Sequence, residues 1–282
     1  MDKKRFLRLV SAVLALCMMA ALLPTAAFAA DPLSPGTTFS YTHRGKTLKY
    51  TVNADGNGTT VSVAEQGVKA VSGEVVIPAT VNDGKGTEYT VTSIGNYAFR
   101  SCYELTSVEI PSSVTSIGNG AFYDCYWLTS VEIPSSVISI GSSAFNRCDQ
   151  LTDVTFEANS QLTSIGDWAF VNGAMKELVI PEGVQTIGNY VFYECGCLQT
   201  VTIPASVTSV GSDIFDLNLY KTAKTIIYGG TEAEWGKLGV KLPEGSTVYY
   251  TSHTVQFDPN GHGTGKYPCR KWQNDSGGQK AC

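Results

Sequence analysis

The feature that most constrains this chain is a segment of about 23 residues that recurs in register through its middle. A phenylalanine marks each copy, and successive markers lie 23, 23, 25, 22 and 23 residues apart. The markers are Phe99, Phe122, Phe145, Phe170, Phe192 and Phe215. The isoleucine of S-I-G keeps the same register from Ile94 to Ile187, and Val210 closes the series. A fixed period of this length predicts a solenoid, whose units bury their apolar side chains only by stacking on their neighbours.

Each copy is expected to open with a short, half-buried strand. In L-T-S-V-E-I-P, strand alternation places Val108 and Ile110 on one face and Ser107 and Glu109 on the other. Pro111 ends the strand because proline has no N–H for the ladder.

One copy departs from this pattern. It is two residues longer than the 23-residue copies, and Glu157 takes the place of the proline. We expect a local bulge there.

The rest of each copy is expected to fill the coil. Val114 and Ile117 point inward, Gly118 supplies a backbone turn that a side chain would obstruct, and Phe122 occupies the interior. A phenylalanine column at this period is far more typical of a packed core than of a ligand site.

Four cysteines form a second column, three residues after a marker phenylalanine: Cys102, Cys125, Cys148 and Cys195. Equivalent Cα atoms of stacked strands lie about 4.8 Å apart, which is within disulfide range, but parallel side chains fit the bridging geometry poorly. Small buried thiols are therefore favoured over disulfides. They are also favoured over a zinc site, since C-x-x-C pairs are missing, and we predict no metal and no cofactor.

The pattern L-T-S-V-E-I-P-S-S-V-T-S-I-G-x-x-A-F-x-x-C closely resembles the BspA-like, or Treponema-type, class of bacterial leucine-rich repeats, over roughly Ser72 to Leu219. The resemblance implies a β-rich, right-handed leucine-rich-repeat solenoid with a parallel sheet on one side. It also implies a secreted or cell-surface protein that acts in adhesion or host contact.

Flanking segments are expected to close the stack at both ends, because a terminal coil otherwise exposes an apolar face and an unpaired edge. Leu48–Val63 reads as a β-hairpin cap around the turn signal D-G-N-G. At the other end, Thr225–Thr231 leads into a short helix at Glu232–Leu238, and a strand at Thr247–Tyr250 completes a small αβ cap. Trp235 in this helix is assigned to the capping core rather than to a sugar platform.

The two termini have separate interpretations. Basic residues, an apolar run from Leu9 to Leu23 and the A-x-A step before Ala30 indicate a signal peptide cleaved after Ala29, and a retained membrane anchor is the weaker alternative. His253–Gly261 resembles the opening of a Listeria–Bacteroides repeat. Lys266–Cys282 does not continue that module, so we expect a truncated or frameshifted, disordered tail.

The predicted organisation is therefore a signal peptide (1–29), an N-terminal β cap (30–71) and about six leucine-rich repeats (72–219). A C-terminal cap (220–252) and a partial β module with a disordered tail (253–282) follow.

Charge and motif content exclude several functions. The formal net charge is −5, with no basic cluster after the signal, so nucleic acid is a poor partner. The histidines His43, His253 and His262 are far apart and lie in no H-E-x-x-H or G-x-S-x-G context. Glu109 and Glu132 are expected to form a solvated acidic ladder rather than a glycosidase pair, because no cleft is predicted there. We predict that the chain is not an enzyme.

The surface of the solenoid is the expected binding site. One candidate is the exposed strand face, a polar and mildly acidic strip that contains Ser107, Glu109, Ser130, Glu132, Asp153, Thr155 and Glu177. The other is an aromatic rim that includes Tyr126, Trp127 and Trp168, whose rings either stack on partners or pack between coils.

These features predict a secreted or cell-surface monomer that binds an extracellular protein or glycan through the solenoid surface, with no transmembrane span in the mature chain. The alternative is a passive structural spacer for surface modules.

Overall fold

The structure, a computed structural model, describes residues 31–56, 58–215 and 222–251 and the backbone of Arg270–Gln273. The predicted signal peptide, His253–Gly261 and three cysteines, Cys17, Cys269 and Cys282, lie outside these residues. In chain order the strands are β1 (Thr38–His43), β2 (Lys46–Val52), β3 (Thr60–Val63), β4 (Gly73–Val76), β5 (Thr80–Asn82), β6 (Glu88–Ile94), β7 (Leu105–Glu109), β8 (Ser116–Ile117), β9 (Ser130–Ile133), β10 (Ser139–Ile140), β11 (Asp153–Phe156), β12 (Ser164–Ile165), β13 (Glu177–Val179), β14 (Thr186–Ile187), β15 (Thr200–Ile203), β16 (Ser209–Val210), β17 (Thr225–Tyr228), β18 (Thr247–Tyr250) and β19 (Arg270–Gln273). One helix, α1 (Glu232–Leu238), lies between β17 and β18.

The repeats form a parallel β-solenoid of about 7 turns, as the period predicts. The two-residue strands of the S-I-G steps pair in parallel in the order β6-β8-β10-β12-β14-β16. Their register joins each serine or threonine, and each isoleucine, to its equivalent in the next coil, for example Ile117 to Ile140. This ladder is continuous through the repeats and continues at its N-terminal end into β3, β2 and β1.

A second ladder, built from the L-T-S-V-E-I strands, is interrupted. β4, β7, β9 and β11 form one sheet, and β13, β15, β17, β18 and β19 form another. The interruption falls at the 25-residue repeat, so it is more than the local bulge predicted there. Unlike proline, Glu157 has an N–H, which donates to Ile133 O at 3.0 Å, and the Glu157 carboxylate accepts the N–H of Ser135 at 2.9 Å. The longer copy thus stays bound to the coil before it, and β13 starts a new ladder.

The marker phenylalanines form the centre of one continuous hydrophobic core. All six are buried, and neighbouring rings lie nearly parallel with centroids between 5.1 Å and 6.3 Å apart. The backbone reinforces the stack, since Phe122 N donates to Ala144 O at 2.7 Å and Phe145 N donates to Ala169 O at 2.8 Å. Each coil is therefore fixed to the next by both its side chains and its main chain.

The glycine of S-I-G is required by close approach. A Cβ on Gly118 would lie 2.7 Å from the backbone N of Asn96, and one on Gly141 would lie 2.6 Å from that of Asn119. Neither glycine has a positive φ. The predicted obstruction is therefore confirmed, but it comes from the preceding coil rather than from a special turn conformation.

Both caps follow the predicted plan. β1, β2 and β3 form an antiparallel unit that joins the first ladder through β3, and Tyr50 and Tyr89 are buried beneath it. At the other end, Thr231 and Glu234 form a capping box for α1. Trp235 is buried with its ring centroid 5.3 Å from that of Tyr228.

Within Lys266–Cys282, where the sequence predicts disorder, the structure describes the backbone of Arg270–Gln273. Arg270–Gln273 forms β19, which pairs antiparallel with β18. β18 is the last parallel strand of its sheet, and its outer edge offers unpaired N–H and C=O groups to an additional strand. Within the part of the chain that the structure describes, no helix is long and apolar enough to cross a membrane.

The close approach at the glycines gives a direct test of the stack. We expect Gly141→Ala to lower the free energy of unfolding by about 1–3 kcal/mol, because its Cβ would overlap backbone atoms that cannot move aside. Gly236→Ala in α1 is the matched control: nothing lies within 4 Å of its Cβ position, and alanine favours the helix by roughly 0.5–1 kcal/mol. Urea unfolding followed by circular dichroism measures both, and equal stability of the two variants would contradict this account of the glycine column.

Candidate functional site

The exposed strand face lies where the alternation predicts. Val108 and Ile110 are buried, and Glu109 between them is exposed. Ser107, Ser130 and Asp153 are aligned side by side, as are Glu132 and Thr155. Glu177 is paired with Thr200 in the second sheet.

The interrupted ladder divides this strip. Because β11 and β13 are not paired, the Asp153 part of the strip does not continue directly into Glu177. The only described ion pair on the strip is the contact between Arg44 and Glu109, whose side-chain atoms lie 4.0 Å apart and are well exposed. An exposed pair of this kind contributes little to stability.

The aromatic residues of the arcs form two clusters. Tyr126 and Trp127 meet edge to face, with ring centroids 5.6 Å apart, and their exposed fractions are 41% and 54%. Trp168 stacks on Tyr190 with centroids 4.3 Å apart and also touches Tyr193, which leaves it 38% exposed. Of the two alternatives for the rim, Trp168 therefore packs partly between coils, whereas Trp127 faces outward.

Next to Tyr126 and Trp127 the surface forms a groove of about 290 Å³. Its lining comes from three successive coils: Tyr103, then Asp124, Tyr126 and Trp127, then Arg147 and Asp149. We call this set of residues the aromatic groove. It combines two exposed rings with three charged side chains.

The backbone of the arc explains how charged residues come to the groove. Asp124 and Arg147 occupy equivalent positions two residues after their phenylalanines, and both have left-handed φ values, 61° and 60°. Ser101, Asn172 and Glu194 adopt the same conformation in the other copies. Asp and Asn are enriched in this left-handed region, and Arg147 and Glu194 adopt it as well, so the turn carries a polar side chain in each of these copies.

The charges of the groove are coupled. Arg147 Nε lies 3.3 Å from Asp124 Oδ1, and Asp124 raises the pKa of the guanidinium further above its ordinary value. Burial raises the pKa of Asp149, and the nearby Arg147 partly offsets this effect. One oxygen of Asp149 is enclosed and accepts no hydrogen bond among the described residues.

The cysteine column lies inside the coil, where Cys125 and Cys148 are each flanked in sequence by two residues that line the groove. Cys102, Cys125, Cys148 and Cys195 are buried free thiols. Cys125 Sγ donates to Phe99 O at 3.1 Å, and Cys148 Sγ donates to Phe122 O at 3.2 Å, so each thiol satisfies a carbonyl of the preceding coil. Over the described residues, no group of three or more His, Cys, Asp or Glu is placed to hold a metal ion.

The remaining candidate residues stay apart. His43 lies in β1 of the N-terminal cap, and His253 and His262 lie outside the described residues. Asp124, Arg147 and Asp149 were missed by the sequence analysis. The repeat register could have predicted that Asp124 and Arg147 are neighbours, because equivalent positions stack in a solenoid.

Residues 90–221 match the family model described as BspA type leucine rich repeat region, in 6 copies. The chain is similar to a leucine rich cell surface protein from Faecalibacterium prausnitzii A2-165, with 31% identity and a TM-score of 0.53. That match covers 81% of this chain and 60% of the Faecalibacterium protein. A leucine rich repeat protein from T. pallidum has the same fold, with 24% identity, a TM-score of 0.52, and coverage of 69% of this chain and 94% of that one. No curated protein matches the chain significantly in sequence.

The thiol column predicts a labelling pattern. Burial raises the pKa of Cys195 to about 12 and that of Cys125 and Cys148 well above the ordinary value, so the reactive thiolate is scarce at pH 8. In the folded chain we expect iodoacetamide to modify the exposed Cys197 and to leave the three buried thiols unmodified. In urea we expect all four of these cysteines to react.

Peptide mass spectrometry after a short pulse of reagent reads out each position. Cys197→Ser is the control that removes the exposed thiol. A disulfide between Cys125 and Cys148, or fast labelling of either in the folded chain, would contradict the assignment.

Proposed function

Residues 90–221 belong to the BspA-type leucine-rich-repeat family, and from this premise we propose that the chain is an extracellular recognition module that binds a protein or glycan partner through its solenoid surface. The family supports an interaction role at the cell surface. The likeness to a cell surface protein of Faecalibacterium and the signal-like N-terminus support a location outside the cell. The chain spans 60% of that relative's length, so the proposal concerns this chain alone.

The observation that carries the proposal is the exposed Tyr126–Trp127 pair beside the charged wall of the aromatic groove. A tryptophan that is 54% exposed keeps apolar ring surface in water, and folding alone does not favour this arrangement. Tryptophan, tyrosine and arginine are the residues most enriched among those that dominate binding energy. Trp127, Tyr126 and Arg147 bring all three types together at one place.

The strand face is a second contact surface in this proposal. Glu109, Glu132 and Asp153 are exposed on neighbouring strands, and they give the strip a negative character. Such a surface favours partners with basic or hydroxyl-rich groups and accelerates their association.

A passive spacer is the second candidate, and one observation favours it. The S-I-G ladder is continuous through the repeats, and caps close both ends, which is also what a rigid rod between other modules requires. In either case the chain acts without catalysis or a cofactor, and as a monomer.

Binding separates the two candidates. We expect the mature chain to bind at least one extracellular-matrix protein or arrayed glycan saturably. Trp127→Ala and Tyr126→Ala should each weaken that binding at least about tenfold, equivalent to about 1.4 kcal/mol, because these two exposed rings line the groove. The double variant Glu109→Gln/Glu132→Gln should weaken it less, since it changes only the charge of the strip.

The matched control is Ile138→Ala, which removes an exposed apolar side chain outside the groove and should leave binding unchanged. Circular dichroism establishes that each variant is folded. Folded protein without a saturable partner on either array would overturn the recognition proposal in favour of the spacer.

A further inference from the structure

We propose that the aromatic groove is a carbohydrate site that takes one pyranose ring of a neutral saccharide. This inference rests on the proposed recognition function and names the ligand class for one part of the surface. Its basis is that the groove has two exposed aromatic rings, an arginine–carboxylate ion pair, backbone amides that are already hydrogen-bonded, and a small volume.

The two exposed rings suit a sugar. Tyr126 and Trp127 meet with an interplanar angle of 78°, so the edge of one ring is set against the face of the other. The groove therefore has two aromatic surfaces that are nearly perpendicular. Aromatic faces carry partial negative charge and attract weakly positive C–H groups. A pyranose presents such C–H groups on its ring faces.

The third ring is partly used by the protein itself. The ammonium of Lys69 lies 5.9 Å from the centroid of the Tyr103 ring. Tyr103 is half-buried and belongs to the coil before that of Trp127. We therefore assign it to the end wall of the groove, and Trp127 to the stacking surface.

The charged wall supplies both kinds of hydrogen-bonding group. Arg147 offers guanidinium donors, and its side chain is 58% exposed even though it contacts Asp124. Asp124 and Asp149 supply carboxylate acceptors. Sugar hydroxyls donate and accept, so neighbouring hydroxyls on one ring match an arginine–carboxylate pair.

Charge balance selects a neutral sugar. Two carboxylates and one guanidinium line the groove, which leaves it negative overall. Lys69 does not line the groove, and its described contact is with the Tyr103 ring. A uronic or sialic acid would bring a further negative charge and should bind more weakly.

The lining argues against a peptide as the occupant. No aliphatic side chain lines the groove, so it lacks the apolar pocket that anchors a leucine or valine. The backbone is also already paired: Asp124 N donates to Asn146 O, Trp127 N to Tyr103 O and Arg147 N to Val171 O, at 2.9 to 3.1 Å. A peptide strand would therefore find these amides already hydrogen-bonded to neighbouring coils.

The volume sets the size of the ligand. A groove of about 290 Å³ is at the small end of ligand sites, which span roughly 300–1,000 Å³. A groove of this volume has room for one pyranose ring with its hydroxyls. A site of this size binds a single sugar in the millimolar range and reaches useful strength only through several contacts or copies.

The experiment titrates the ¹⁵N-labelled mature chain with methyl glycosides of glucose, galactose, mannose and N-acetylglucosamine, and with lactose. Binding is followed in NMR spectra by the indole N–H signals of the tryptophans and by the backbone amide signals of the groove residues, which remain observable in the Trp127→Ala variant. We expect at least one of these sugars to shift the Trp127 signal saturably, with a dissociation constant of about 1–10 mM. Glucuronate and sialic acid should bind at least about fivefold more weakly, because of the charge balance.

Two alanine variants test the groove, and a third, at a tryptophan outside it, is the control. Trp127→Ala and Arg147→Ala should each weaken binding of that sugar at least about tenfold. Trp168→Ala removes a tryptophan outside the groove and should leave its affinity within about twofold. Trp127 is more exposed than Trp168, so its replacement should lower the stability of the fold less, and thermal melts check this directly.

Absence of any saturable shift with neutral sugars overturns the proposal, as does equal binding by the Trp127→Ala variant or tighter binding of the anionic sugars. If no sugar binds while a protein partner still requires Trp127, the carbohydrate assignment fails and the recognition function stands. If neither sugar nor protein binds, both fail.

Discussion

Close stacking of successive coils along the phenylalanine and glycine columns is the interaction on which the rest of this structure depends. The ring of Phe122 lies 5.2 Å from that of Phe99 and 5.1 Å from that of Phe145, which requires the coils to approach as closely as strands in a sheet. Gly118 and Gly141 permit this approach, because any side chain there would overlap the preceding coil. Side chains at the next position strengthen it: Asn96 Oδ1 accepts the N–H of Asn119, and Asn119 Oδ1 accepts that of Ser142, both at 2.8 Å.

The arrangement of the surface residues depends on this stack. The aromatic groove is assembled from three coils, so its geometry exists only while those coils are stacked in register. The left-handed turn that recurs in each arc places Asp124 next to Arg147 without any contact between distant parts of the sequence. The proposed binding site is thus a local variation on a repeated backbone: the same positions hold Ser101 and Asn172 in other coils, where a different surface results.

Sequence reasoning reached the parts of the structure that period and alternation determine. The coil and the phenylalanine core follow from the repeat period, and the buried faces of Val108 and Ile110 and α1 with its buried Trp235 follow from patterns within short segments. The separation of β11 from β13 could not be derived that way, because it depends on how Glu157 and the residues after it bind to the coil before them. The groove was missed for a related reason. Asp124, Arg147 and Asp149 differ from copy to copy, so a search for what the copies share passes over them.

The central claim is that the S-I-G ladder keeps the solenoid one continuous stack across the interruption of the second ladder. Hydrogen exchange of backbone amides in the native chain tests it most directly. The amides of Gly141 and Gly166 bond to Ile117 O and Ile140 O before the interruption, that of Gly188 bonds to Ile165 O across it, and all three distances are 2.8 to 2.9 Å. The account predicts similar protection for all three amides and a common opening free energy. A step in protection, with the coils before Glu157 opening independently of those after Lys176, would contradict it.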